Sequence, residues 1–367
     1  MSMATKVLFV TRIVRGRNHI FEKVIAQCKG IRAIGYDVDL LFVGEAYDVY
    51  LNDVIIARLG SRNGIQLLFF ERILRTLDLA KYQFVFIRHP FVVNQLSYLR
   101  FLRAAWRSKC KVVVEIPTFP YRRELKGLPS KLIYFAECLC NNRLKRYVSF
   151  VLYSGDKRDT IHGIRCRQLL NVGDIDRTPI SRASFCGRTL RLVAVSGCMT
   201  YNAYERVIEG LHRYYMTERQ VIVEFHLGGT GPDHAKYVAL VKKYSLAKHV
   251  FFYGPVFGEE KDRLFEAMHV GISCLGMHRI GLSGGSPLKT ADYGSRGIPF
   301  VLSYDDPMFS GQAFCLNVPP TEEGIDVGAL VEWYVRNDFD ADVIRKFTVD
   351  KVSWKKQYND IFAELAD

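Results

Sequence analysis

Residues 271–301 read GISCLGMHRIGLSGGSPLKTADYGSRGIPFV, and their punctuation decides the fold. Ser286 suits an N-cap, Pro287 the first helical position and Gly297 the position past the end, while Pro299 forbids continuation. The spacing predicts a helix from Pro287 to Arg296. Before it, GLSGGS places glycines at 281, 284 and 285, where backbone can approach a ligand closely. Apolar GISCL and IPFVLS on either side read as buried strands. The helix start turns N–H groups and a positive dipole end toward whatever lies above the loop, which favours phosphate. Lys289 and Asp292, three positions apart, are expected on one helical face.

The same alternation runs outward in both directions. KVLFV (6–10), an amphipathic stretch at 20–35 and YDVDLLFV (36–43) form a β–loop–α–β opening. YQFVFIRHP (82–90) and KCKVVVEIP (109–117) read as core strands ending in Arg88-His89 and Glu115, at the carboxyl edge where open α/β sheets place ligands. Residues 177–190 are polar and rich in turn formers, a linker. The pattern then restarts with strands at 190–197, 221–231 and 249–256, separated by helices at 204–215, 234–246 and 259–269. The fold class is α/β, with two Rossmann-like domains facing a cleft. The first spans 1–178, with a C-terminal helix at about 345–367 packing back on it. The second spans 188–342.

The 367 residues suffice for two cores, and 49% apolar content points to a well-packed chain. No run is long and apolar enough to cross a bilayer, and MSMATKVLFV enters a strand without a signal-peptide pattern, so the expected compartment is the cytoplasm. Nine cysteines, an odd number without C-x-x-C pairing, read as reduced thiols. The histidines form no H-x-x-x-H cluster, and no metal is assigned. Net charge is +13, unevenly placed. Residues 1–190 carry 32 Lys and Arg against 15 Asp and Glu, and residues 191–367 carry 19 against 23. The first half is therefore built to meet something anionic, whether nucleic acid, a phospholipid surface or a phosphorylated substrate.

Several fragments resemble the retaining GT-B glycosyltransferases, and within them the large bacterial family four. Asn171-Val172-Gly173-Asp174-Ile175-Asp176 is similar to the family's NGVD turn, and Tyr204-Glu205-Arg206 to the first helix of its second domain. GGTGP (228–232) resembles its G-x-G-P turn. Lys289-Thr290-Ala291-Asp292-Tyr293 with Gly297-Ile298-Pro299 is similar to its K-x-x-E-Y…G-x-P signature. The family's common pair of glutamates reads Gly284 and Asp292 here, so polar contact to the sugar falls to backbone or to His278 and Arg279.

The resemblance implies a metal-independent, retaining transferase without a cofactor, using a nucleotide-diphosphate sugar as donor. Arg206, Lys289 and Asp292 are its expected catalytic residues, the cations on the diphosphate and the carboxylate on the ribose. Gly254, Val256, His278, Gly281, Leu282, Ser283 and Gly284 are expected at the donor, with Tyr253 near the base. Arg17, Arg88, His89 and Glu115 are expected on the acceptor side. The implied acceptor is a glycan or polyprenyl-diphosphate-linked sugar, as in bacterial surface polysaccharide synthesis.

Residues 97–146 mix aromatic and aliphatic residues with Lys and Arg and contain few acids, as interfacial helices do. They point to a peripheral place on the inner face of the cell membrane. Two other readings stay open. A basic nucleic-acid-binding protein would use the same charged half, but RNP, KH and helix-turn-helix signatures are missing, and nucleic acid is not the expected partner. A nucleotide-sugar epimerase on the same fold would release product without an acceptor.

Overall fold

The computed structural model describes residues 5–16, 19–91, 93–122, 125, 127–217 and 220–366. The chain forms two units, residues 1–170 with 353–367, and residues 171–352. Residues 171–178 and 345–352, grouped with the first domain in the sequence, thus lie in the second unit.

The first unit opens with β1 (Lys6–Val14), α1 (His19–Arg32) and β2 (Asp37–Val43). A hairpin follows, β3 (Asp48–Leu51) and β4 (Val54–Arg58), then α2 (Arg62–Leu74). The alternation continues with β5 (Phe84–Arg88), α3 (Gln95–Arg107), β6 (Lys111–Phe119), α4 (Leu128–Leu144) and β7 (Phe150–Gly155). β8 (Thr160–Ile161) and β9 (Ile164–Gln168) close it. The sheet order is β4-β3-β2-β1-β5-β6-β7-β9-β8. Strands β2, β1, β5, β6, β7 and β9 are parallel, with antiparallel additions at both edges.

The central strands read as unbroken apolar runs because both faces are covered. Leu8, Val85, Val112 and Tyr153 are fully buried. On one face, α1 packs against the C-terminal helix Trp354–Ala366. Gly30 makes this approach possible, since a Cβ there would sit 2.4 Å from the Trp354 Cβ.

The second unit contains β10 (Thr189–Val195), α5 (Glu205–Tyr215), β11 (Ile222–Gly228), α6 (His234–Lys243) and β12 (Val250–Gly254). Next come α7 (Gly258–Phe265), β13 (Val270–Ile272), α8 (Leu288–Ser295), β14 (Phe300–Leu302) and β15 (Cys315–Asn317). Two helices follow, α9 (Val327–Arg336) and α10 (Ala341–Val352). All six strands are parallel, in the order β12-β11-β10-β13-β14-β15. The chain winds outward from β10 and then restarts on its other side at β13. The crevice at the carboxyl ends of β10 and β13 is where such sheets bind ligands.

The decisive helix differs from expectation at its start. Pro287 is the N-cap, with φ −63° and ψ 143°, and helix α8 begins at Leu288. Ser286 does not cap it. Its hydroxyl instead accepts a hydrogen bond from the Asn171 N–H at 3.0 Å, tying the loop to another part of the same unit. The helix ends at Ser295, and Gly297 follows with φ +73°.

Candidate functional site

Three strand ends meet at the crest of the second unit. Ser196 N–H donates to Gly228 O and Cys198 N–H to Thr230 O, both at 2.9 Å, while Gly229 N–H donates to Gly254 O at 2.6 Å. The turn after β11 must contain glycine. A Cβ on Gly229, whose φ is +137°, would lie 1.9 Å from Ser196 O. Beside this crest the short turn Thr200–Asn202 is held by Leu275 N–H donating to Asn202 O and Gly276 N–H donating to Tyr201 O.

Lys289 reaches into this ring from the first turn of α8. Its Nζ lies 2.6 Å from Asn202 Oδ1, 3.0 Å from Tyr204 Oη and 3.4 Å from Ser196 Oγ. Asn202 Oδ1 also accepts from the Cys274 thiol. All these partners are neutral, and among the described residues Lys289 has no ion pair. The first turn of α8 contains no acidic residue, and no side chain caps it. A cation and an open helix start therefore point to the same place, at the switch point of the sheet.

The other two residues expected to be catalytic are arranged differently. Arg206 is almost fully buried, and its guanidinium donates to backbone. Its Nε reaches Glu323 O at 2.7 Å, one terminal nitrogen reaches Leu275 O, and the other reaches Pro319 O at 2.8 Å and Thr321 Oγ1 at 3.5 Å. Arg206 thus fastens the 319–325 segment to α5, in place of the phosphate contact read from the sequence. Asp292 does not share a contact with Lys289. Its two oxygens meet Lys261 Nζ at 2.9 Å and Arg296 Nε at 3.2 Å. Burial opposes its ionisation, but Lys261 and Arg296 outweigh that and hold the carboxyl below the usual range. Two oxygens with one partner each still have lone pairs available.

The Gly-rich loop is pinned rather than loose. Gly285 N–H donates to Asp305 O at 3.0 Å and Asp305 N–H to Ser283 O at 2.8 Å, so Gly284 sits in a parallel bridge with Asp305. Gly281 takes φ +74°, and Leu282 is buried. His278 Nε2 lies 2.7 Å from Glu322 Oε1. Arg279 bonds both Glu322 oxygens and also Glu205. Hydrogen bonds from Arg279 and His278 pull the Glu322 carboxyl down to about 2. At the end of β12, Gly254 has φ +66°, Val256 is buried, and the Tyr253 hydroxyl lies 2.8 Å from His226 Nδ1.

Of the residues expected on the acceptor side, Arg88 and Glu115 form an ion pair, and the His89 N–H donates to Glu115 O at 2.7 Å. Arg17 lies outside the described residues. Glu115 is buried as the hub of a network within the first unit. Its oxygens meet Lys23 Nζ at 3.0 Å, Arg88 at 2.6 Å and Gln27 Nε2 at 2.8 Å, and Gln27 also donates to the Tyr358 hydroxyl. Burial disfavours the charge on Glu115, but Lys23 and Arg88 overcome this and bring its pKa to about 2. Glu115 and Arg88 therefore join α1, β5, β6 and the C-terminal helix. His89 turns inward, with Nε2 3.2 Å from Glu137 Oε1, and lines a small cavity with Asn141 and His162.

Among the described residues no group of three or more His, Cys, Asp or Glu is placed to hold a metal ion. No described helix is long and apolar enough to cross a membrane. Ser196, Asn202, Tyr204 and Lys261 were not singled out for their contacts in the sequence. The one signal for the first three was their place just after a strand with glycine at its end, SGCMTYNAY (196–204).

No protein-family model matches the sequence, nor does any curated protein. Solved structures do match. The Anabaena protein Alr3699/HepE in complex with UDP-glucose is 12% identical with a TM-score of 0.66, covering 98% of this chain and 100% of that one. Sucrose-phosphate synthase from Thermosynechococcus elongatus is 11% identical with a TM-score of 0.65, covering 98% and 99%. The lipopolysaccharide outer core galactosyltransferase WaaB is 15% identical with a TM-score of 0.61, covering 98% and 100%. The shared architecture is that of the GT-B glycosyltransferases, two Rossmann-like domains each built on a parallel sheet.

Proposed function

We propose that this protein is a retaining, metal-independent glycosyltransferase. It moves a sugar from a nucleotide-diphosphate donor to a lipid-linked glycan acceptor in bacterial surface polysaccharide synthesis, at the inner face of the cell membrane. The observation that carries the donor assignment is Lys289, an ammonium with only neutral partners, set at the switch point over an uncapped helix start. As the bond from the sugar to the β-phosphate breaks, negative charge grows on that phosphate. A preorganised cation and aligned N–H groups stabilise it without reorganisation. Asp292, with its spare lone pairs, accepts hydrogen bonds from the ribose. The strand end at Tyr253, Gly254 and Val256 lies beside the base, and the 278–284 loop lies over the sugar. HepE, in complex with UDP and with UDP-glucose, supports the same choice of ligand.

Thermal-shift titration with a panel of nucleoside diphosphates and nucleotide sugars tests the reading, because a ligand that binds only the native state raises its melting point. A rise with at least one diphosphate, lost in Lys289→Met, is expected. A flat response across the panel would remove the donor assignment. Turnover should persist in EDTA.

A further inference from the structure

Helix α4 has an outward face that nothing in its own unit covers. Leu128, Leu132, Phe135 and Leu139 are 60–70% exposed. Their spacing of four, three and four places them in one line along the helix. The opposite face is the packed one, with Glu137, Asn141 and Leu144 buried. Lys131 and Arg143 flank the line and are exposed, as are Lys145 and Arg146 just beyond the helix. The carboxylate of α4 belongs to Glu137, which is buried against His89 and Tyr121 and contributes nothing to that outer face.

The neighbouring helices extend the pattern. On α3, Leu96 and Trp106 are exposed together with Arg103 and Arg107. On α2, Leu67 and Leu68 are exposed, and Glu71 is paired with Arg100 of α3. The line of exposed apolar side chains along α4 has the character of an interaction site. Lys131 and Arg143 flank it.

The geometry points to this α4 face as the surface that docks on an anionic lipid bilayer. The four apolar side chains enter the acyl boundary, and Lys131, Arg143, Lys145 and Arg146 lie at the level of the lipid phosphates. A second copy of the chain fits less well. A two-fold contact through one patch sets each cation near its own counterpart, without carboxylates to balance them. The inference deepens the proposal of a lipid-linked acceptor and rests on it for its purpose, while the surface itself is defined by exposure and charge.

Cosedimentation of the full chain with vesicles tests it, using phosphatidylcholine alone and phosphatidylcholine mixed with phosphatidylglycerol. The double variant Leu132→Ser/Phe135→Ser and the charge reversal Arg143→Glu are compared with the unmodified protein. All three are also melted with and without UDP. The unmodified protein should pellet with the anionic vesicles and far less with the neutral ones. Binding should fall about tenfold in the double variant, as expected when buried apolar area and lipid charge together set the affinity. Melting points and UDP shifts should stay unchanged. Equal pelleting of the double variant overturns the assignment of this face. So does a failure to pellet with either vesicle, or a dimer that the double variant dissociates. No melting shift in the unmodified protein with UDP or any other nucleoside diphosphate of the panel, with vesicle binding intact, instead counts against the nucleotide-sugar reading alone.

Discussion

The Lys289 ammonium lies 2.6 Å from the Asn202 amide oxygen, and this contact joins α8 to the turn that follows β10. It holds a positive charge at the switch point with neutral groups alone. Buried or half-buried cations are ordinarily matched by a carboxylate. Here, among the described residues, no carboxylate pairs with it.

Replacing Lys289 with Met keeps the length and removes the charge. The expected loss is about 2–4 kcal/mol in kcat/KM, the range seen when one charge-stabilising donor is removed. The melting point without ligand should stay within a few degrees. Steady-state kinetics with the donor identified by thermal shift measure it, and unchanged kcat/KM would be incompatible with the assigned role.

Arg206→Ala should act on stability first. Removing the guanidinium leaves the carbonyls of Leu275, Pro319 and Glu323 without their donor, a loss on the order of 3 kcal/mol for buried groups. Arg206→Lys cannot restore the fork geometry and should recover only part of it. Calorimetry and UDP titration separate the roles. Normal melting combined with abolished UDP binding would return Arg206 to the phosphate site.

Glu115→Gln should destabilise the first unit by about 3–5 kcal/mol, since it leaves Lys23 and Arg88 with a neutral partner. The pH dependence has a definite sign. Lys23 and Arg88 hold the folded Glu115 carboxyl down to about 2 from its ordinary 4.5, so its contribution is present above about 4.5 and is lost as pH falls toward 2. Acid titration of the melting point should be shallower in Glu115→Gln than in the unmodified chain.

Asp306 gives the opposite sign. It is buried with no cation paired to it among the described residues, and burial raises its pKa to about 7 from 3.8. The Thr290 hydroxyl lies 2.8 Å from Asp306 Oδ2 and 2.9 Å from Pro287 O, with one proton for two acceptors. A protonated Asp306 resolves this by donating to Thr290. Its stabilising contribution is complete below about 3.8 and is lost as pH rises through about 7. Asp306→Asn should therefore be more stable than the unmodified chain above pH 7 by roughly 3–5 kcal/mol, judged from the size of the shift. Equal melting points above that pH would contradict a protonated Asp306.

The sequence exposed the frame of both sheets because their central strands are covered on both faces and leave unbroken apolar runs. It exposed less at the edges. The β3–β4 hairpin turns at Asn52, which takes φ +55°, inside an alternating segment whose signal was available but weak. Lys289 was legible because a cation at a helix start is unfavourable unless an anion is near. Arg206 was not, because its partners are backbone carbonyls more than a hundred residues away for Glu323 and Pro319, and a carbonyl leaves no mark in sequence. Glu115 misled for a related reason. Its position at a strand end suggested a ligand, whereas its partners come from α1 and β5, which only the folded sheet brings together.

The return of residues 353–367 to the first unit makes the second an insertion within it. During synthesis the last helix, with Trp354 and Tyr358, emerges only after all of residues 171–352. The unit that begins the chain is thus the last to close its core, with the α1 surface at Gly30 waiting for its cover. The inserted unit is contiguous and can finish first.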